Sequence, residues 1–328
     1  MLNVKKVLFL LLLPLLAIGC FKASKSRLGE WMQDDGKIKI LSTTAQVGDL
    51  VAAVGGDRVS NWVLIQGELD PHSYEIVKGD GEKLARADLI FYNGLGLEHG
   101  AGLSSQLKGT HKAIALGERI QEAYPERILL REDAVDPHIW MDISLWKEAV
   151  PSIIEELSSL DPEGTSEYCE RGEALMLQMD EAHLALIEKM RKIPSEKRYL
   201  VTSHDAFHYF ARCYLANPGE KSWEDRFAAP EGLAPDGQLS PVDIQGIIDY
   251  LRAHKISVVF PESNVSRDSI RKIASAGREM GVEIEICSEP LYGDSMSHLS
   301  YLEMMRQNGD VIARHLALEN DCEGALEE

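Results

Sequence analysis

EGTSEYCERGEALMLQMDEAHLALIEKMRK, residues 163–192, is the stretch that decides the architecture. It holds no proline and, past its start, one glycine, Gly172. Leu175, Leu177, Met179, His183, Leu184, Leu186, Ile187 and Met190 recur near the spacing of a helical face. At 1.5 Å per residue a helix of this length would run about 45 Å, enough to cross two folded units. Ile193-Pro194 ends it, because proline cannot continue a helix. The reading predicts one rigid spanning helix, residues 163–193, with a lobe on each side.

Outward from that helix, strand and helix patterns alternate. Residues 37–41, 59–65, 88–93 and 112–116 read as strands before it, with helices over 45–54 and 79–87. Residues 199–202, 256–260 and 282–286 read as strands after it, with helices over 241–254 and 267–280. Alternation of this kind implies an α/β fold of two lobes, each a parallel-type sheet flanked by helices. The expected divisions are a first lobe over 37–162 and a second over 194–318. Residues 319–328 read as a disordered acidic tail.

Three histidines fall in loops that follow these strands: Asp70-Pro71-His72, Asp136-Pro137-His138 and Ser203-His204-Asp205. Tyr292-Gly293-Asp294-Ser295 lies beyond the last strand. The histidines stand 66 residues apart and Asp294 a further 90 along, so no two are sequence neighbours. Short-range zinc patterns build a site locally. Donors this far apart meet only where the fold brings the lobes together. Loops beyond strand C-termini are where open α/β sheets hold ligands. Proline stiffens each Asp-Pro-His turn, and the Asp two residues earlier could accept the N–H of the ring nitrogen that a metal leaves free.

The N-terminus points to export. Lys5 and Lys6 precede an apolar run over residues 7–18, broken by Pro14, and Gly19-Cys20 follow. This is the layout of a signal peptide over 1–19, and the run is short for a membrane span of about 20 residues. Cys20 reads as a lipidated first residue of the mature chain, although Ala17 stands where such sites most often carry leucine. Residues 20–36 read as a flexible tether, basic at its start, anchored to the membrane through Cys20. The chain carries 34 basic against 53 acidic residues, a formal charge of −19, and loss of the signal peptide removes two lysines more. That balance excludes nucleic acid as a partner. Cys169, Cys213, Cys287 and Cys322 allow three full disulfide pairings, and spacing does not choose among them.

The ordered set of motifs resembles the metal-specific solute-binding lipoproteins of ABC importers, the zinc, manganese and iron group. The resemblance spans about residues 37–316. It is carried by Asp70-Pro71-His72-Ser73-Tyr74-Glu75, Tyr92-Asn93-Gly94-Leu95-Gly96-Leu97-Glu98, Asp136-Pro137-His138-Ile139-Trp140-Met141-Asp142, Thr202-Ser203-His204-Asp205-Ala206-Phe207, Phe260-Pro261-Glu262-Ser263 and Leu291-Tyr292-Gly293-Asp294-Ser295. It implies His72, His138, His204 and Asp294 as ligands of one divalent transition-metal cargo, with an ABC permease as partner. It also implies a monomer at the cell surface or in the periplasm, without catalytic activity. A histidine at the third position, here His204, leans such proteins towards zinc, with manganese or iron as alternatives. The His-rich loop of many zinc carriers is missing between residues 117 and 136.

Three imidazoles and a carboxylate also suit borderline divalent ions by their own chemistry. Two other functions share that donor set: a zinc hydrolase, which keeps an open coordination position, and a surface adhesin whose metal only stabilises the fold. Glu262 is expected to support a ligand. His208, His183, His254, His298, His315, His99 and His111 are expected to be packed or exposed residues with no part in the site. Residues 217–240 read as a long surface excursion.

Overall fold

The computed structural model describes residues 27–131, 134–235 and 239–318. The signal peptide, Cys20, Cys322 and the acidic tail lie outside the described residues.

The first lobe is a four-stranded parallel sheet. Its strands are β1 (Ile38–Ser42), β2 (Val59–Val63), β3 (Leu89–Tyr92) and β4 (Ala113–Ala115), in the order β2-β1-β3-β4. Leu41 on the central strand pairs with Trp62 on one side and Ile90 on the other. Each crossover is a helix or a loop with helix, as parallel neighbours require. Thr44 caps the first helix, Ala45–Gly55, by accepting from the Val47 N–H. A small antiparallel hairpin, β5 (Leu130–Arg131) with β6 (Ala134–Val135), precedes His138.

The second lobe has shorter strands than its sequence suggests. β7 (Leu200–Val201) pairs in parallel with β8 (Phe227–Ala228), and β9 (Val258–Val259) with β10 (Glu285–Ile286). The Phe260 N–H donates to the Val201 carbonyl at 2.9 Å and links the two pairs. β8 corrects the reading of residues 217–240 as a surface excursion, since Arg226, Phe227 and Glu231 are buried. Isolated apolar pairs among charges and prolines carry too weak a pattern to announce a strand.

The spine is the helix Thr165–Arg191, 27 residues, about 40 Å long. Its inner face is Tyr168, Gly172, Met179, Leu186 and Met190. Leu177 and Leu184, expected on that face, are 62% and 63% exposed. They stand seven residues apart and share the outer side. Gly172 shows how tightly the inner face is packed: a Cβ there would lie 2.4 Å from Ile154 Cδ1 of the helix Ala149–Leu160. One apolar core runs through both lobes and the spine and includes Val47, Trp146, Met179, Phe210, Tyr214 and Met304.

The expected tether is shorter at its far end. Arg27–Trp31 is helical, Trp31 is buried, and its indole Nε1 donates to the Ser60 carbonyl at 2.8 Å. The burial of one indole is enough to fix a short segment that is otherwise charged.

The spine is fastened to the first lobe by Arg58, just before β2. Its guanidinium meets both oxygens of Asp161, at 2.6 and 3.0 Å, just before the spine begins. Hydrogen bonds from Arg58 and Tyr168 hold the Asp161 carboxyl at about 2. A carboxyl lowered on folding contributes stability above its unfolded value of about 4 and loses it as pH falls through about 2. Arg58→Ala is therefore expected to lower the urea midpoint at neutral pH and to flatten its decline between pH 4 and 2. A decline as steep as in the unsubstituted protein would show that this pair contributes nothing to acid sensitivity.

Candidate metal centre

Every predicted donor sits past the C-terminal end of a strand. β2 leads to His72, the β5–β6 hairpin to His138, β7 to His204 and β10 to Asp294. The four gather in one place. One donor atom from each lies within 4.8 Å of the others, and all four residues are buried, none more than 4% exposed. His72 Nε2 lies 3.2 Å from His138 Nε2 and 3.7 Å from Asp294 Oδ2. His138 Nε2 lies 3.4 Å from Asp294 Oδ1, and His204 Nε2 lies 3.2 Å from Asp294 Oδ2. Three ring nitrogens of one kind and a carboxylate thus face a common point.

The surroundings decide which nitrogen faces inward. Asp136 Oδ1 accepts the His138 backbone N–H at 3.0 Å and sits 2.8 Å from its Nδ1. With Nδ1 as donor, Nε2 keeps its lone pair for an ion. Glu262 does the same for His204. Its Oε1 accepts the His204 backbone N–H at 2.9 Å, and its Oε2 lies 2.7 Å from Nδ1, a charge contact more than an aligned hydrogen bond. Asp70 departs from the expectation. It takes the backbone N–H groups of His72 and Ser73, at 2.9 and 3.2 Å, and the Ser73 hydroxyl, so it shapes the turn and leaves the ring alone.

The charges follow from burial and neighbours. Burial drives His72 down to about 3, so its ring is neutral. Burial also opposes charge on His138, but Asp136 and Asp294 outweigh it and hold the ring at about 9. Glu262 and Asp294 likewise raise His204 against its burial. For Asp294 burial favours the neutral acid, and His204, His138 and His72 together hold it well below the usual carboxylate range. A dication held among these side chains would take over the role of those ring protons.

Residues without a donor role in the sequence reading complete the support. Glu98 is buried and accepts from the Thr43 hydroxyl at 2.6 Å and from the Asn93 and Gly94 N–H groups at 2.9 and 3.0 Å. Asn93 Nδ2 then donates to the Pro137 carbonyl at 3.0 Å and fixes the turn that presents His138. Gly94 and Gly96 have φ of +78° and +85°, which glycine alone adopts without cost. Trp140 Nε1 donates to the Gly293 carbonyl at 3.0 Å, tying the His138 segment to the Asp294 loop across the cleft. That Asn-Gly-Leu-Gly-Leu-Glu segment was visible in the sequence as a matched motif; its supporting role was not.

The remaining histidines stay outside. His208 is buried, 2.7 Å from Asp205 Oδ1, and His183 Nδ1 is 3.0 Å from the Tyr214 hydroxyl. His254 stacks on Tyr199, with ring centroids 4.1 Å apart. A second group of possible ligands, Asp142, His183 and Cys213, is already occupied in the fold: Asp142 Oδ1 caps a helix through the Ser144 and Leu145 N–H groups, and Oδ2 faces Arg127. The three described cysteines, Cys169, Cys213 and Cys287, are free. Among the described residues no helix is long and apolar enough to cross a membrane.

Comparison with known proteins identifies the family. The family model for ZnuA, the periplasmic component A of a zinc-uptake complex, matches residues 40–315. The metal-binding protein YtgA of Chlamydia pneumoniae is 41% identical over 281 residues, covering 84% of this chain and 85% of its own. The crystal structure of Fe(III)-bound YtgA from Chlamydia trachomatis is similar with a TM-score of 0.82 at 37% identity, over 85% of this chain and 98% of that one. The periplasmic zinc-binding protein TroA of Treponema pallidum has a TM-score of 0.78 at 31% identity, over 86% and 100% of the two chains. With a family model matched across both lobes and a relative 41% identical over 85% of its own length, this chain belongs to the ZnuA family of metal-binding, substrate-binding proteins.

Proposed function

We propose that this chain is the extracytoplasmic substrate-binding component of an ABC importer, and that it captures one divalent transition-metal ion through His72, His138, His204 and Asp294 for delivery to a membrane permease. The observation that carries the reading is the convergence of four buried donors, two from before the spine and two from after it. Zinc is the favoured cargo. Three imidazoles and a carboxylate bind it more tightly than manganese or ferrous iron, and His204 is the third donor. Relatives named for Fe(III) and for manganese keep iron and manganese as alternatives for the physiological ion. Burial supports a carrier over a hydrolase, since a catalytic zinc keeps one position for water and substrate, and these donors are closed off by protein.

The same reading takes residues 37–162 and 194–318 as the two metal-binding lobes, 163–193 as the spine between them, and Cys20 as the lipid anchor that holds the protein beside its permease. Metal analysis of protein purified from its own host, together with calorimetry on the metal-free form, tests it. One ion per chain is expected, released as pH falls and the imidazoles take up protons. Two equal tight sites, or none, would contradict the assignment.

A further inference from the structure

A cavity of about 460 Å³ opens beside the centre, and of the four donors only His72 lines it. His99 and Glu118 line it too, from the first lobe, and Leu233 and Ala234 from the second. The His99 ring lies 5.7 Å from that of His72, centroid to centroid, yet His99 is not among the four grouped donors. His99 is exposed, and its Nδ1 sits 3.2 Å from the Gly96 carbonyl. That contact makes Nδ1 the donor and leaves Nε2 with a free lone pair. Glu118 Oε1 accepts the Leu95 N–H at 2.9 Å, while Oε2 is buried and has no hydrogen-bond partner among the described residues. The His99 imidazole and the Glu118 side chain therefore line a cavity that adjoins His72.

We propose that His99 and Glu118 form a transient capture site, which takes a divalent transition-metal cation at this mouth and passes it to His72. The proposal rests on the four-donor reading of the centre. A hydrated dication cannot enter a closed site of 0–4% exposed ligands without shedding water, and shedding it all at once is costly. An imidazole and a carboxylate at the mouth replace some of those waters before the ion leaves solvent. The acidic side chain of Glu118 at this mouth also attracts cations, which favours association.

Stopped-flow zinc binding to the metal-free protein tests this, with the fluorescence of Trp140, whose ring lies 5.3 Å from that of His138, as reporter. In His99→Gln, association and dissociation are expected to slow together by about tenfold, the low end of the range over which association rates vary within one system. Glu118→Gln, which can still accept from the Leu95 N–H, is expected to slow association and to weaken its dependence on salt. Rates equal to those of the unsubstituted protein in both variants would overturn the proposal. Faster dissociation with unchanged association in His99→Gln would also overturn it, by making His99 a ligand of the bound state. The two readings fail separately. If the unsubstituted protein shows no tight site, or His72→Ala binds as it does, the four-donor centre itself falls and the capture step with it.

Discussion

Replacing His72 by alanine is expected to weaken metal binding by more than about 100-fold, the upper end of what loss of a mere supporting partner costs, while leaving the metal-free protein folded and nearly as stable. The two halves of that expectation have different causes. His72 is a proposed donor to the common point, with its Nε2 3.2 Å from that of His138. Its ring is neutral in the empty centre, and its turn is held by Asp70 through backbone N–H groups that alanine keeps. Removing it strands no charge. His204→Ala differs, because it leaves Glu262 and Asp294 buried without the ring that separates them, and breaking such a pairing is strongly destabilising. Calorimetry and urea unfolding of both variants measure the contrast. Unchanged affinity in His72→Ala would remove that residue from the centre.

The second large effect is expected from Trp140→Ala. This side chain is 1% exposed, packs against the His138 ring and donates to Gly293 across the cleft. Truncating a buried tryptophan costs about 3–5 kcal/mol, and here it also removes the bond that holds the loop before Asp294. Metal bound only by the closed arrangement offsets part of such a loss, about 2.7 kcal/mol at a hundredfold excess over the dissociation constant. The thermal midpoint should therefore fall steeply without metal and less with it. Hydrogen exchange should rise first in the loops of His204 and Asp294. Exchange that rises instead along Thr165–Arg191 would show that the tryptophan supports the spine and not the cleft.

What the sequence disclosed, and what it did not, follows from range. The spine was legible because residues 163–192 contain nothing that breaks a helix and are followed by Pro194. Its buried face was misjudged at Leu177 and Leu184, because apolar character alone does not say which side meets a partner; Gly172, which lets Ile154 approach, was the better marker. The first lobe's sheet was legible from strands of four and five residues. In the second lobe, strands of two residues are fixed by neighbours such as Phe260 on Val201, a contact distant in the chain. The four proposed donors were chosen through motif and resemblance together, and the structure gathers them around one point. Asp70 and Asp136 occupy the same place in the same tripeptide, yet only Asp136 reaches its ring. Spacing cannot separate a carboxylate that shapes a turn from one that also orients an imidazole.

The shared core that threads both lobes and the spine bears on how a transporter would tell a full carrier from an empty one. A protein that snaps shut around its cargo announces its state by its outline. This one, locked along its length by shared packing, would carry that information only in a few loops around the centre. The empty form would then present almost the same face to the permease and occupy it nearly as well. Under scarcity, when most carriers are vacant, idle visits would limit uptake more than the affinity of the centre does. Adding metal-free protein to a reconstituted uptake assay measures that competition; uptake that is indifferent to the addition would mean the permease reads the loops with high fidelity.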